Sequence, residues 1–175
     1  MKALIICERG LEECEALIVY DLLTRAGIET VLAGNTPEVT SSHNVTIKMT
    51  EPLGLINPSD FHCLILPGGM PGTKNLQSDK TVDDIIDHFI ANQKLICAIC
   101  AAPSILINKG IIKNGEFTCY PGFECGKEST GEKVHVHENI ITANGLGSAI
   151  EFGIEIIKKM LGESNAIAIK NKIQY

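Results

Sequence analysis

Apolar residues in this chain gather into short uninterrupted runs: ALIIC (3–7), IETVLAG (28–34), CLILPGG (63–69), KLICAIC (94–100) and NIITA (139–143). A strand with one wet face alternates apolar and polar positions. Runs without alternation fit strands buried on both faces, as in a parallel sheet. Helical patterns lie between them: EECEALIVYDLLTRAG (12–27), DKTVDDIIDHFIANQ (79–93), AAPSILINKG (101–110) and GSAIEFGIEIIKKMLG (147–162), with Gly27, Gly110 and Gly162 as C-terminal stops. Strand and helix alternating at this spacing predict a three-layer α/β sandwich around a mainly parallel central sheet. Two segments break the rhythm, EVTSSHNVTIKM (38–49) and EKVHVHENIITA (132–143). They read as antiparallel additions at the sheet's margin, the second turning at Glu138-Asn139. The tail 163–175 reads as a short surface helix or strand. No repeat, low-complexity tract or linker divides the chain, so one domain over 1–175 is expected.

Composition narrows the class. At 175 residues the chain is long enough to bury a core without staples, and 45% hydrophobic against 21% charged residues is an ordinary globular balance. The net charge of −6, with Lys and Arg scattered, leaves no basic stripe for phosphate backbones. Nucleic acid is therefore not an expected partner. The apolar run near the N-terminus is too short for a signal or spanning segment, so a cytoplasmic protein without membrane attachment is expected. Seven cysteines, four inside apolar runs, read by default as reduced thiols.

One cysteine calls for its own argument. In KLICAICAAPSIL (94–106) the strand is expected to end at Ile99 and the helix to begin at Ala101, which places Cys100 in the turn at the carboxyl end of a strand. Ligand sites of open α/β sheets collect at that edge. Pro103 falls in the first helical turn, where a missing N–H costs nothing. Cys100 then sits at the positive end of the helix dipole, where a thiol pKa is lowered and free N–H groups can hold an oxyanion. That makes Cys100 the candidate nucleophile, against two rivals: a plain buried thiol, and a Cys97-x-x-Cys100 redox pair. The redox pair would want both cysteines at the helix start, whereas Cys97 lies in the strand.

Two further stretches gain meaning beside it. The glycines Gly68 and Gly69 of ILPGGMPG (65–72) permit close backbone approach, in a plain turn or as an oxyanion wall. Glu12, Glu13 and Glu15 of RGLEECEALIVYD (9–21), taken alone, read as helix-dipole partners that need no function. His135 and His137 share a strand face but lack a third ligand, so a solvated face is expected and no metal. His43, His62 and His88 are scattered and unmarked. Cys119 and Cys125 flank a loop near Tyr120, and one of them could act as a resolving thiol.

Taken in order, GLEECE, LPGG and AICAAP, with ITANGLGSAIEFG (141–153) near the end, make the chain resemble the ThiJ/PfpI superfamily over nearly its whole length, in the DJ-one branch. The resemblance implies a flavodoxin-like sandwich, usually a homodimer, with no cofactor. It implies Cys100 as nucleophile, Glu15 as its carboxylic partner, and the N–H groups of Gly69 and Ala101 as oxyanion donors. Gly68, Tyr120 and Leu146 would line the pocket. The chain departs from the branch where a histidine is common (here Tyr120), where the protease branch has histidine after the cysteine (here Ala101), and in a G-P-G whose proline is Leu146. The branch's peripheral oxidisable cysteines align with Ser41 and Lys48.

These readings converge on cofactor-independent chemistry at a small aldehyde or dicarbonyl: a glyoxalase that needs no glutathione, or the related deglycase activity. The alternatives are a cysteine-oxidation sensor or protective chaperone-like protein and, with no histidine beside the thiol, an amidase or peptidase.

Overall fold

The computed structural model describes residues 1–175. In chain order the elements are β1 (Lys2–Ile6), α1 (Glu13–Arg25), β2 (Glu29–Gly34), β3 (Glu38–Thr40), β4 (Thr46–Lys48), β5 (Glu51–Pro52), β6 (Cys63–Leu66), α2 (Gly72–Ser78), α3 (Lys80–Ala91), β7 (Leu95–Ile99), α4 (Pro103–Asn108), β8 (Val134–His137), β9 (Ile140–Ala143), α5 (Ala149–Leu161) and α6 (Glu163–Lys172). Seven strands form one sheet in the order β5-β2-β1-β6-β7-β9-β8, parallel throughout except that β8 runs antiparallel to β9.

The uninterrupted apolar runs are explained by burial on both faces. In β1, Ala3 and Ile5 point into one core, shared with α1 and α5, while Leu4 and Ile6 point into the other, shared with α3 and α4. Phe152 anchors the first core and Phe89 the second, both fully buried. Truncating either to alanine removes a side chain of the class whose loss costs about 3–5 kcal/mol.

The helices start and stop where local chemistry allows. Asp79 caps α3 by accepting from the N–H groups of Thr81 at 2.7 Å and Val82 at 3.2 Å. The run 63–69 yields a strand only to Leu66, because Pro67 and the two glycines leave the ladder. A short helix, α2, follows where the sequence pattern suggested none. The segment 38–49 departs from expectation: β3 and β4 pair only with each other, outside the main sheet. Its hairpin is tied instead to the loop after β1, through Gly10 N–H to Thr40 O at 2.8 Å and Ser42 N–H to Leu11 O at 2.8 Å. The second hairpin does reach the sheet margin as β8, turning at Glu138, whose φ is 49°. The tail is helical, burying Ala166 and Ile169. No helix is long and apolar enough to cross a membrane.

Candidate active site

The C-terminal ends of β1, β6 and β7 lie side by side, and the loops that leave them build the site. β7 stops at Ile99, and Cys100 turns the chain with φ 64°, a left-handed conformation that non-glycine residues seldom adopt. The strain is held by two backbone bonds: Cys100 N–H donates to Ala143 O at 2.9 Å, and Cys100 O accepts from Tyr120 N–H at 2.8 Å. Ala101 and Ala102 complete the turn, so the helix begins at Pro103 rather than at Ala101. The turn has the geometry of a nucleophile elbow, with a half-buried thiol presented at the sheet's edge.

The loop after β6 forms the opposite wall. A Cβ on Gly68 would come within 2.6 Å of Cys100 Cβ and 2.7 Å of Glu15 Oε2, so only glycine lets the three backbones close. Gly69, at φ +89°, is pressed against the Leu11–Glu12 backbone in the same way. The Gly69 and Ala101 N–H groups both lie against the Cys100 sulfur and favour its ionised form.

Glu15 comes from the first turn of α1. The Glu12 side chain caps that helix by accepting from Glu15 N–H at 2.7 Å, which points the Glu15 side chain inward. Glu15 is 1% exposed. Its Oε2 accepts from Gly68 N–H at 2.9 Å, Oε1 is buried without a conventional hydrogen bond, and the carboxyl lies against the Cys100 thiol and the Leu146 backbone.

Burial is the largest influence on both groups, and it favours their neutral forms. It carries the Glu15 carboxyl up to about 7, aided by the Glu12 charge and opposed by the Cys100 thiol and by the Gly68 and Leu146 backbone. The Cys100 thiol is pushed up to about 12, first by burial and then by the charge and hydrogen bond of Glu15, against the Ala101 and Gly69 N–H groups. The lowered thiol pKa expected from the helix start is therefore not what the site has. A six-residue helix supplies a weak dipole, and a buried carboxylate outweighs it. With the carboxyl raised to about 7 and the thiol to about 12, the carboxyl ionises first and the remaining proton rests on the Cys100 sulfur.

A DJ-1/PfpI family model matches residues 1–159. The chain belongs to that family. It is 33% identical over 168 residues to Protein dj-1beta of Drosophila melanogaster, covering 92% of this chain and 90% of that one. It is 29% identical over 157 residues to a C. elegans protein named glutathione-independent glyoxalase DJR-1.2, covering 86% and 83%. Against Protein DJ-1 homolog B of Arabidopsis thaliana it is 28% identical over 98% of its own length but spans only 41% of that longer chain. Among solved structures, oxidized Toxoplasma gondii DJ-1 superposes with a TM-score of 0.93 at 31% identity, covering 99% and 98%. The flavodoxin-like architecture of the family is thus the architecture of this chain.

Around this elbow lie the seven residues that the resemblance implied for the site: Cys100, Glu15, Gly68, Gly69 and Ala101 at the centre, with Tyr120 and Leu146 at the rim. Tyr120 and Leu146 are 51% and 47% exposed and touch the site through their backbones. Sequence reasoning undervalued Glu12, named only as a dipole partner, which both caps α1 and raises Glu15. The spacing Glu12-x-x-Glu15 is a capping signal and could have shown it. Sequence also missed His43, which the β3–β4 turn brings to within 3.1 Å of Glu13 across 30 residues. Glu12, Glu13 and His43 form the single group of three possible metal ligands, but Glu12 is committed to its cap and Glu13 to His43. His135 and His137 face separate acids, Glu132 at 2.6 Å and Glu116 at 3.7 Å. All seven thiols are free, and neither Cys119 nor Cys125 makes a sulfur contact with Cys100.

Proposed function

We propose that the protein converts α-oxoaldehydes to α-hydroxy acids without glutathione or another cofactor. The observation that carries this reading is the buried Glu15 carboxyl against an elbow cysteine whose sulfur also meets two backbone N–H groups. With methylglyoxal, Cys100 passes its proton to Glu15 and the resulting thiolate adds to the aldehyde carbon. The resulting alkoxide takes a proton from Glu15 and lies against the Gly69 and Ala101 N–H groups, as a hemithioacetal. The Glu15 carboxylate then removes the proton from that carbon and delivers it to the neighbouring one through an enediol, leaving a thioester of Cys100. Water hydrolyses the thioester to lactate and restores the thiol. One carbon is oxidised, its neighbour is reduced, and the net reaction consumes one water. A carboxyl near 7 is well placed to give and take a proton at neutral pH. The relative named glutathione-independent glyoxalase supports the reading by analogy.

The test is lactate formation from methylglyoxal without glutathione, in wild type, Cys100→Ala and Glu15→Gln at matched folding. Loss of at least about 10³-fold in the first variant and 10²-fold in the second is expected, in line with removal of a nucleophile and of an acid/base. Undiminished turnover in Cys100→Ala would end the mechanism. Homodimeric assembly and a cytoplasmic location belong to the same proposal on the strength of the family resemblance; light scattering checks the first.

A second reading rests on the same buried carboxyl. Two equivalents of peroxide would convert the Cys100 thiolate to a sulfinate with release of two waters, and protonated Glu15 would donate to the sulfinate oxygen. Intact mass after mild peroxide decides it: Cys100 must gain two oxygens before any other thiol does.

A further inference from the structure

Immediately beyond the Gly69 wall lies a cleft of about 430 Å³ that none of the chemistry above uses. The loop after β1 contributes Arg9, the β3–β4 turn contributes Ser41, Ser42 and Asn44, and the far side is Met70 and Asn75. The chain is acidic, with 21 Asp and Glu, yet no carboxylate lines this cleft. The nearby acids are each engaged: Glu8 accepts from Asn35 at 2.8 Å and from the Arg9 backbone, Glu12 caps α1, and Glu13 pairs with His43 and accepts from Ser41.

Arg9 is one of two arginines. The other, Arg25, is bonded to Asp21 at 2.6 Å, whereas Arg9 enters no ion pair. Ser41 Oγ accepts from Val45 N–H at 3.1 Å and its hydroxyl serves Glu13, and Ser42 Oγ lies 3.3 Å from His43 Nδ1, so the donor beside Arg9 on the hairpin side is the Asn44 amide. The loop carrying Arg9 is locked to the cleft's other wall. Asn75 Nδ2 donates to Arg9 O at 2.8 Å, and Gly72 N–H donates to Gly10 O at 3.2 Å. Gly10, at φ +85°, lies so close to Pro71 that a Cβ would fall 2.4 Å from its ring. An unpaired guanidinium beside amide donors, in a pinned cleft lined by no carboxylate, has the composition of an oxyanion site.

Its position says which oxyanion. Gly69, whose N–H meets the Cys100 sulfur, is followed directly by Met70, which lines the cleft, and consecutive Cα atoms are about 3.8 Å apart. We propose that the cleft binds the phosphate or carboxylate of a reactive carbonyl compound whose aldehyde sits at Cys100, with Arg9 as the residue that selects for it. The substrate role rests on the Cys100 reading; the anion site itself does not.

The test has two arms. In amide NMR spectra, titration with inorganic phosphate, and separately with acetate, is expected to shift Arg9, Ser42 and Asn44 saturably, equally in the Cys100→Ala protein, and not in Arg9→Ala. In turnover, the ratio of kcat/KM for a phosphorylated α-oxoaldehyde to that for methylglyoxal is expected to fall about tenfold in Arg9→Ala and to recover partly in Arg9→Lys. Cleft amides that stay still with both anions, or that still shift in Arg9→Ala, overturn the site. Saturable binding with an unchanged ratio overturns the substrate role. Should no α-oxoaldehyde be turned over, the Cys100 reading falls by itself, and the two titrations still decide the cleft.

Discussion

Cys97 and Cys100 stand three residues apart on the same stretch of chain and live in opposite environments. Cys97 lies inside β7, wholly buried, its sulfur 3.7 Å from that of Cys63 on the neighbouring strand. Burial is the first cause of its raised pKa, and its partner thiol raises it further, so nothing there favours a thiolate. Cys100 is also raised by burial, but it has left the ladder, is half exposed, and meets two N–H groups and a carboxyl that can carry its proton. Desolvation alone makes an inert thiol; desolvation together with a proton acceptor and fixed dipoles makes a latent nucleophile.

The comparison breaks most sharply at Gly68. Alanine there would put a Cβ 2.6 Å from Cys100 Cβ and 2.7 Å from Glu15 Oε2, forcing apart the pair that distinguishes Cys100 from Cys97. Turnover in Gly68→Ala is expected to fall on the order of 10²-fold or more, since displacements near 1 Å cost that much in a preorganised site. Steady-state kinetics with methylglyoxal checks it, with circular dichroism to verify the fold. Near-normal turnover would show that the close packing of carboxyl and thiol has no catalytic role.

Glu15→Gln sharpens the contrast through pH. The Glu15 carboxyl is raised from an ordinary value near 4.5 to about 7, so between those values the folded state binds more protons than the unfolded one. Stability must therefore fall as pH rises through that window, by up to about 3 kcal/mol. The glutamine amide keeps an acceptor for Gly68 N–H and removes the buried charge. The variant is expected to lose most of this slope and to be more stable than wild type at pH 8 while turning over far less substrate. Chemical denaturation at pH 5 and pH 8 measures it, and equal slopes in the two proteins would refute the assigned cause. Without the carboxylate the Cys100 thiol also loses its second-largest upward push, so alkylation of Cys100 at pH 8 should be faster in the variant. Mass spectrometry of iodoacetamide-treated protein reads that rate; a slower reaction would mean that Glu15 assists ionisation of the thiol even when charged.

How much of this was legible in the chain depended on the range of the interactions. The apolar runs foretold the parallel sheet because burial on both faces is written locally, residue by residue, and Pro103 marked the start of α4 for the same reason. The elbow was legible as a turn between two strong patterns. The electrostatics of the site were not, because a thiol's pKa depends on which carboxyl the fold packs against it. Glu15 lies 85 residues from Cys100, and the dipole argument, which uses only neighbours in sequence, pointed the wrong way. The β3–β4 hairpin was read as part of the sheet because alternation announces a strand without naming its partner. The contact between His43 and Glu13, and the cleft around Arg9, both depend on where that hairpin lands.

The smallest expected effect concerns Cys97 itself. Cys97→Ala removes a sulfur from a close-packed contact with Cys63 in the core shared with α1 and α5, and leaves the Cys100 elbow, its N–H donors and Glu15 in place. The loss is comparable to removing one buried methyl-sized group, about 1 kcal/mol, or roughly 2–4 °C in Tm for a chain of this length. The kcat for methylglyoxal should change by less than about twofold, since an alanine keeps the β-strand register that delivers Cys100. Thermal melts and kinetics on the same preparation check both halves. A large drop in kcat with intact stability would mean that Cys97 takes part in the chemistry, as the two-cysteine redox reading would have it, and the separation drawn between the two thiols would be wrong.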